Sequence, residues 1–379
     1  MKIKTITCHD VYNVGASLQA YALSEYLRQQ GHDVEIIDYK PDYLSKHYSL
    51  LSVDNPRFNK FFLREVYLLA KLPKRVIAFF SKRKRNFDCF KKKYLKLTEK
   101  RYNSNEMLKL DCPEADVYIA GSDQIWNPFF QNGKDPAFYL DFVPQEKKSI
   151  SYAASFAVDS IPEKYERTIQ KWLKNLDAIS VREKSGVAIL ERMGLIAHLV
   201  VDPVFLLNRD EWERIIRNEC CRKNIFVYDF DKSNLVEELV LKLKDEKNLE
   251  VHTAFPMNIS GKVLKEMGPR EFLGELRSAE IVVSNSFHAT AFSLIFHVDF
   301  IVTNRKEKIN SRMRDLLELL GLSERMVSSV NDLDELKPIE WEEIDKKMYK
   351  FIGESKKYLE QQLGEKNYET NNFYNCTGI

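Results

Sequence analysis

The chain has 379 residues, 58 Lys and Arg against 56 Asp and Glu, and is 44% hydrophobic and 12% aromatic. That charge balance excludes a polybasic nucleic-acid wrapper, and that apolar fraction excludes disorder over most of the length. The length predicts two or three domains, and 13 Gly with 12 Pro leave no low-complexity character.

MKIKTITCHD has no long apolar segment, so no secretory signal is expected, and no stretch approaches the ~20 apolar residues of a membrane span. Six cysteines form no C-x-x-C pair and the histidines complete no zinc spacing. The expectation is a reduced, cytoplasmic protein without metal or other cofactor and without a nucleic-acid partner. KIKTITC reads as a buried strand, HDVYNVGAS as a polar loop, and the segment from Leu18 to Gly31 as a helix with a glycine stop. HDVEIIDY is the next strand, which makes the first forty residues a β-α-β unit. Residues 41 to about 110 then read as a helical insertion. Between Lys82 and Lys100 it carries nine basic residues against Asp88 and Glu99, with Phe87, Phe90 and Tyr94 among them. Such a run is either the solvated face of a helix or a contact for anionic lipid at the inner membrane surface or for an acidic glycan.

DVYIA resumes the strands, and GSDQIWN follows as a loop. KKSISYAASF, a helix over 162–176, DAISV, the helix REKSGVAILERMG and AHLVVDPVFLL complete a first half. From about residue 208 the alternation restarts: NIFVYDF, a helix, LEVHTAF, a helix, AEIVVSN, SFHATAFSLIF, DFIVTN, a helix and a short strand RMVSS. The expected fold class is α/β, with two Rossmann-like doubly wound domains facing a cleft. The expected division is 1–207, 208–340, a helix over 341–364 packing back on the first domain, and a loose tail over 365–379. No internal repeat is present.

Ligands of open parallel sheets sit beyond the carboxyl ends of the strands. That rule selects four loops. In SNSFHAT, Asn285 and Ser286 begin a helix whose free N–H groups suit phosphate or carboxylate, and His288 in its first turn could act as an acid. The alternative is a simple cap with His288 as packing. Arg182, closing DAISV, could grip an anion through two hydrogen bonds or pair with a structural acid. Asn13, Gly15 and Ser17 could hold a ligand near the first helix. Asp123, Gln124 and Trp126 suit a sugar, or else form a turn over a buried indole. His9 is a second acid–base candidate.

NVGASLQAYALSEYL, GSDQIWN, SVRE, VVDPVF, SNSFHATAFSLIF and NSRMRDLLELLGL occur in this order. Together, over about residues 3–325, they resemble the polysaccharide pyruvyl transferase family. The resemblance implies a two-domain fold of glycosyltransferase-B type and transfer of a pyruvyl group from phosphoenolpyruvate to sugar hydroxyls, closing a ketal. It implies a place in capsule, exopolysaccharide or cell-wall polymer synthesis, with a sugar acceptor whose lipid linkage is open. It assigns Arg182 and His288 to the donor site and Asn13, Gly15, Asp123 and Gln124 to the cleft. Phosphoenolpyruvate would be a co-substrate, with His288 as acid and Asp123 as base. Two positions depart from the family pattern: Ala289 stands where Gly is usual after the histidine, and Val14 stands where an aromatic is usual. The competing readings are a nucleotide-sugar-dependent glycosyltransferase and a non-catalytic sugar- or phosphate-binding protein.

Overall fold

The computed structural model describes residues 1–44, 61–216, 224–307 and 309–364. The tail over 365–379 and part of the insertion, 45–60, lie outside the described residues. Short β-branched strands mostly alternate with helices, and the paired strands among the described residues run parallel. The first sheet contains β1 (Lys2–Ile6), β2 (Asp33–Tyr39), β3 (Leu97–Tyr102), β4 (Val117–Ala120) and β5 (Lys148–Ser151), in the order β3-β2-β1-β4-β5. A two-stranded ribbon, β6 (Ser180–Val181) and β7 (His198–Leu199), continues beside β5 through the bridges Ile150–Ala178 and Ala154–Val181. The second sheet contains β8 (Asn224–Tyr228), β9 (Glu250–Thr253), β10 (Lys262–Val263), β11 (Ile281–Ser284) and β12 (Asp299–Val302), in the order β10-β9-β8-β11-β12. The two orders are the same Rossmann-like winding. In each, the chain reverses direction across the sheet between the first and fourth strands, which opens a crevice at their carboxyl ends.

The halves share apolar core. Helix Val14–Gln29 of the first half buries Leu18, Tyr21 and Ala22. Tyr21 meets Trp212 edge-on at 5.7 Å, and Trp212 meets Phe292 of the second half at 4.8 Å. The Trp212 indole donates to the Val204 carbonyl, so its one polar atom is satisfied within this core. Helix Trp341–Leu363 returns to the first half: Ser355 Oγ accepts from Val201 N and Tyr358 donates to the Ser151 carbonyl. Among the described residues no helix is long and apolar enough to cross a membrane.

Three local expectations are corrected. The first helix starts at Val14, four residues before Leu18, because the Asn13 side chain accepts from Ala16 N and caps it. The insertion is not wholly helical: LTEKRY forms β3 at the sheet edge, where four of its six side chains stay out of the core, so it reads as part of the charge run. RMVSS contributes only an isolated bridge, Val302–Met326, since the buried Arg325 there is engaged with Asp299 and the Lys337 carbonyl.

Candidate active site

Three helices point their N-termini into one cavity of about 270 Å3, close to the lower end of small-ligand clefts. Helix Val14–Gln29 brings Asn13, Val14 and Gly15; helix Phe287–Phe296 brings Asn285, Ser286, Phe287 and His288; helix Ser311–Leu320 brings Arg312 and Met313. None of the three has an acidic residue in its first turn, and neither Ser286 nor Asn310 makes a side-chain cap bond. Unfilled N–H groups and three positive dipole ends make the cavity receptive to anions. Asp123 and Gln124, after β4, form part of the wall, and Tyr228, Phe230, Arg305 and Glu307 form the side belonging to the second half. The cavity therefore lies over the switch points of both sheets.

At Gly15 the two halves pack backbone against side chain. A Cβ there would lie 2.0 Å from His288 Nδ1, so only glycine lets the first helix meet the imidazole. Nε2 of His288 stands 3.7 Å from Asp202 Oδ2 and makes no hydrogen bond among the described residues. Burial lowers the His288 pKa; Asp202 and Asp123 pull it up, Arg182 and Arg312 push it down, and it settles at about 4. The resting imidazole is therefore neutral at pH 7.

Arg182 is fully buried and does not face the cavity. It is ion-paired with Asp202 through Nη1 and with Asp123 through Nη2 at 3.2 Å, and its guanidinium lies 4.9 Å from the centre of the Phe287 ring. The space beside it, about 20 Å3, holds one water at most. Burial opposes its charge, but Asp202, Asp123 and Glu183 more than compensate, and its pKa is raised. Arg182 and His288 thus converge, but on the Asp202 carboxylate of VVDPVF and not on open space. Phe287 stands as the wall between Arg182 and the cavity, with Arg312 5.5 Å from the ring centre.

Arg312 is the opposite case. It lines the cavity, its nearest carboxylate is Asp123 at 3.7 Å, and its Nε makes no hydrogen bond among the described residues. Burial and then the neighbouring Arg182 lower its pKa to about 10, against weaker support from Asp123, Glu183 and Asp202. It also sits at the positive end of its own helix, where a cation is unfavourable. An under-compensated guanidinium at three helix N-termini is chemically suited to an incoming anion. For Asp123, burial raises the pKa, but Arg182, Arg312, His288 and the Gln124 N–H hold it below the usual carboxylate value. Its φ of 76° places a non-glycine residue in the left-handed region, a strain fixed by Ile125 N and Ser155 N, which both donate to its carbonyl.

The remaining predicted residues divide. Asn13, Gly15, Gln124, Asn285 and Ser286 line the cavity; Asn285 is also tied to Asp229 and accepts from Phe230 N. Ser17 and Trp126 do not line it. The Trp126 indole donates to the Phe138 carbonyl and stacks on Tyr139, the buried-turn alternative. His9 is buried against Asp38 at 3.2 Å, inside the first half and away from the cavity. Val14 lines the cavity and Ala289 is wholly buried. Residue-level reading missed Arg312, Arg305 and Asp202, although Arg312 and Asp202 stand inside NSRMRDLLELLGL and VVDPVF.

The family model described as polysaccharide pyruvyl transferase matches residues 13–307. Among solved structures, a putative UDP-N-acetylglucosamine 2-epimerase from Listeria monocytogenes is similar at 10% identity, with a TM-score of 0.54 over 97% of this chain and 98% of that one. The S. aureus MnaA–UDP structure is similar at 10% identity, with a TM-score of 0.52 over 98% of this chain and 100% of that one. At that identity the likeness concerns the fold, two Rossmann-like units of glycosyltransferase-B type. No curated protein matches the chain significantly.

Proposed function

Because the chain belongs to the polysaccharide pyruvyl transferase family, and is therefore a transferase, we propose that it moves a pyruvyl group from phosphoenolpyruvate onto two hydroxyls of a sugar destined for a surface polysaccharide. The observation that carries this reading is the anion-receptive cavity, in which Arg312, three helix N-termini and His288 meet. Phosphoenolpyruvate presents a carboxylate and a phosphate, and Arg312, Arg305 and the free N–H groups near Ser286 are the groups on hand for them. Arg182 acts as a positioning residue, holding Asp123 and Asp202 in place.

A negative charge at ~4 Å contributes about 4 kcal/mol in a partly screened site, or about 3 pKa units. The bound donor thereby lifts His288 from about 4 towards neutrality, so the acid is created by the substrate it serves. His288 delivers its proton to the methylene carbon, and the resulting oxocarbenium-like carbon accepts a sugar hydroxyl. Asp123 takes the hydroxyl proton; a weak base suffices, because attack on a cationic carbon makes that hydroxyl acidic. The second hydroxyl then displaces phosphate, its proton passing to the departing phosphate as the ketal closes, while the helix dipoles stabilise the departing charge.

Phosphate release from phosphoenolpyruvate across a panel of sugars tests the reading; no acceptor-dependent release, or full turnover in His288→Ala, refutes it. A nucleotide-sugar donor draws support from the aromatic wall of Tyr228 and Phe230. Thermal stabilisation by a nucleotide sugar but not by phosphoenolpyruvate decides for that alternative.

A further inference from the structure

Residues 61–100 hold 13 Lys and Arg against 3 Asp and Glu, while the whole chain holds 58 against 56. One-tenth of the sequence therefore carries a positive surplus larger than that of the whole chain, and the remainder is net acidic. The segment forms two consecutive helices, Phe61–Phe79 and Lys82–Tyr94, separated at Ser81, whose side chain caps the second, and it ends in residues 97–100 of β3.

The first helix keeps large apolar side chains in solvent. Val66 is 52% exposed, Ile77 75% and Phe80, one residue past its end, 70%. At 100° per residue, positions 66, 73, 77 and 80 fall within about 60° of one another, so these residues and the exposed Pro73 make a single stripe. The second helix is fastened to the body of the protein by its other face. Phe87 and Phe90 are buried, Tyr12 donates to Asp88, and Asn86 donates to the Glu266 carbonyl. Several of its cations are spent locally: Lys84 on Asp88, Lys91 on Asp10 and Lys82 on Glu266. Arg85, Lys92 and Lys93 are exposed and form no ion pair among the described residues. Positions 85 and 92 lie on one side of the helix, with 93 at its flank.

A solvent-facing apolar stripe followed by unpaired cations is the pattern of a helix that lies in a bilayer interface, with apolar groups in the acyl boundary and cations at the headgroups. We infer that helices 61–79 and 82–94 form a docking surface for an anionic lipid bilayer. Charge complementarity selects that occupant, since a second copy of this chain docked face to face about a two-fold axis would oppose the same dense positive charge to itself. The fastened face of the second helix meets the approach to the cavity: Tyr12, held by Asp88 and edge-on to Phe87, immediately precedes Asn13.

The test is sedimentation of the full chain with phosphatidylglycerol-containing vesicles and with pure phosphatidylcholine vesicles, at low and high salt. Binding to the anionic vesicles only, weakened by salt, is expected. Replacing Arg85, Lys92 and Lys93 by Gln should weaken it about a hundredfold. The pair Ile77→Ser and Phe80→Ser should weaken it at least tenfold. Both variants should retain the wild-type circular-dichroism melt. No vesicle binding, or binding that neither variant changes, overturns the inference. So does a dimer in light scattering that Ile77→Ser with Phe80→Ser dissociates while vesicles are ignored. Because the readout is lipid binding, its failure leaves the reading of the cavity standing, and the converse also holds.

Discussion

The contact between Gly15 and His288 makes a prediction in which stability and activity separate. In Gly15→Ala the new methyl carbon would fall 2.0 Å from Nδ1 and 2.5 Å from Cγ and Cε1 of His288. Non-bonded contacts settle near ~3.5 Å, so the imidazole and the first helix must part by roughly 1.5 Å. Gly15 lies in the first turn of its helix, so the preference for Ala at interior positions offers little compensation. Crowding a packed site costs about 1–3 kcal/mol. The net is a loss of no more than about 3 kcal/mol, a melting shift of a few degrees in a chain of this size. Displacing a catalytic group by about 1 Å costs on the order of a hundredfold in turnover. Parallel measurement of phosphate release and thermal melting is the assay. Wild-type turnover in Gly15→Ala refutes the argument. So does a loss of activity that merely follows a collapse in melting temperature.

Four further outcomes follow from the same geometry. Arg312→Gln should raise KM for phosphoenolpyruvate at least tenfold while moving Tm by only a few degrees. Arg182→Met should instead destabilise the fold by about 3–5 kcal/mol in urea denaturation, because Asp202 and Asp123 lose a buried partner; the opposite pattern would return Arg182 to the donor site. The folded-state pKa of His288, about 4, lies below its ordinary 6.5, so the unfolded chain binds the proton first. The associated stability is present above pH 6.5 and is lost as pH falls towards 4, by about 3 kcal/mol. His288→Asn should flatten that acid limb in denaturation curves at pH 7.5 and 4.5. Finally, phosphoenolpyruvate binding near pH 6 should take up a proton, seen as a calorimetric heat that varies with buffer ionisation enthalpy; zero uptake removes His288 as the proton donor.

What the sequence determined by itself is local. Strand and helix alternation follows from side-chain periodicity, and parallel winding follows from the crossover lengths. Helix N-termini at the ends of strands then point to anion chemistry near Asn13, Ser286 and His288, because capping and dipole are properties of a few adjacent residues. The polar edge strand β3 escaped that logic, since a strand with one partner keeps few apolar positions. Which arginine faces the cavity was decided only by tertiary structure. Arg182 finds Asp202 and Asp123 at separations of 20 and 59 residues, and those partners, with Phe287 across its face, turn it inwards. Arg312 arrives from the far half without a full counter-charge and keeps its positive field for a ligand. Coulomb compensation depends on distance in space, and local periodicity carries no record of it.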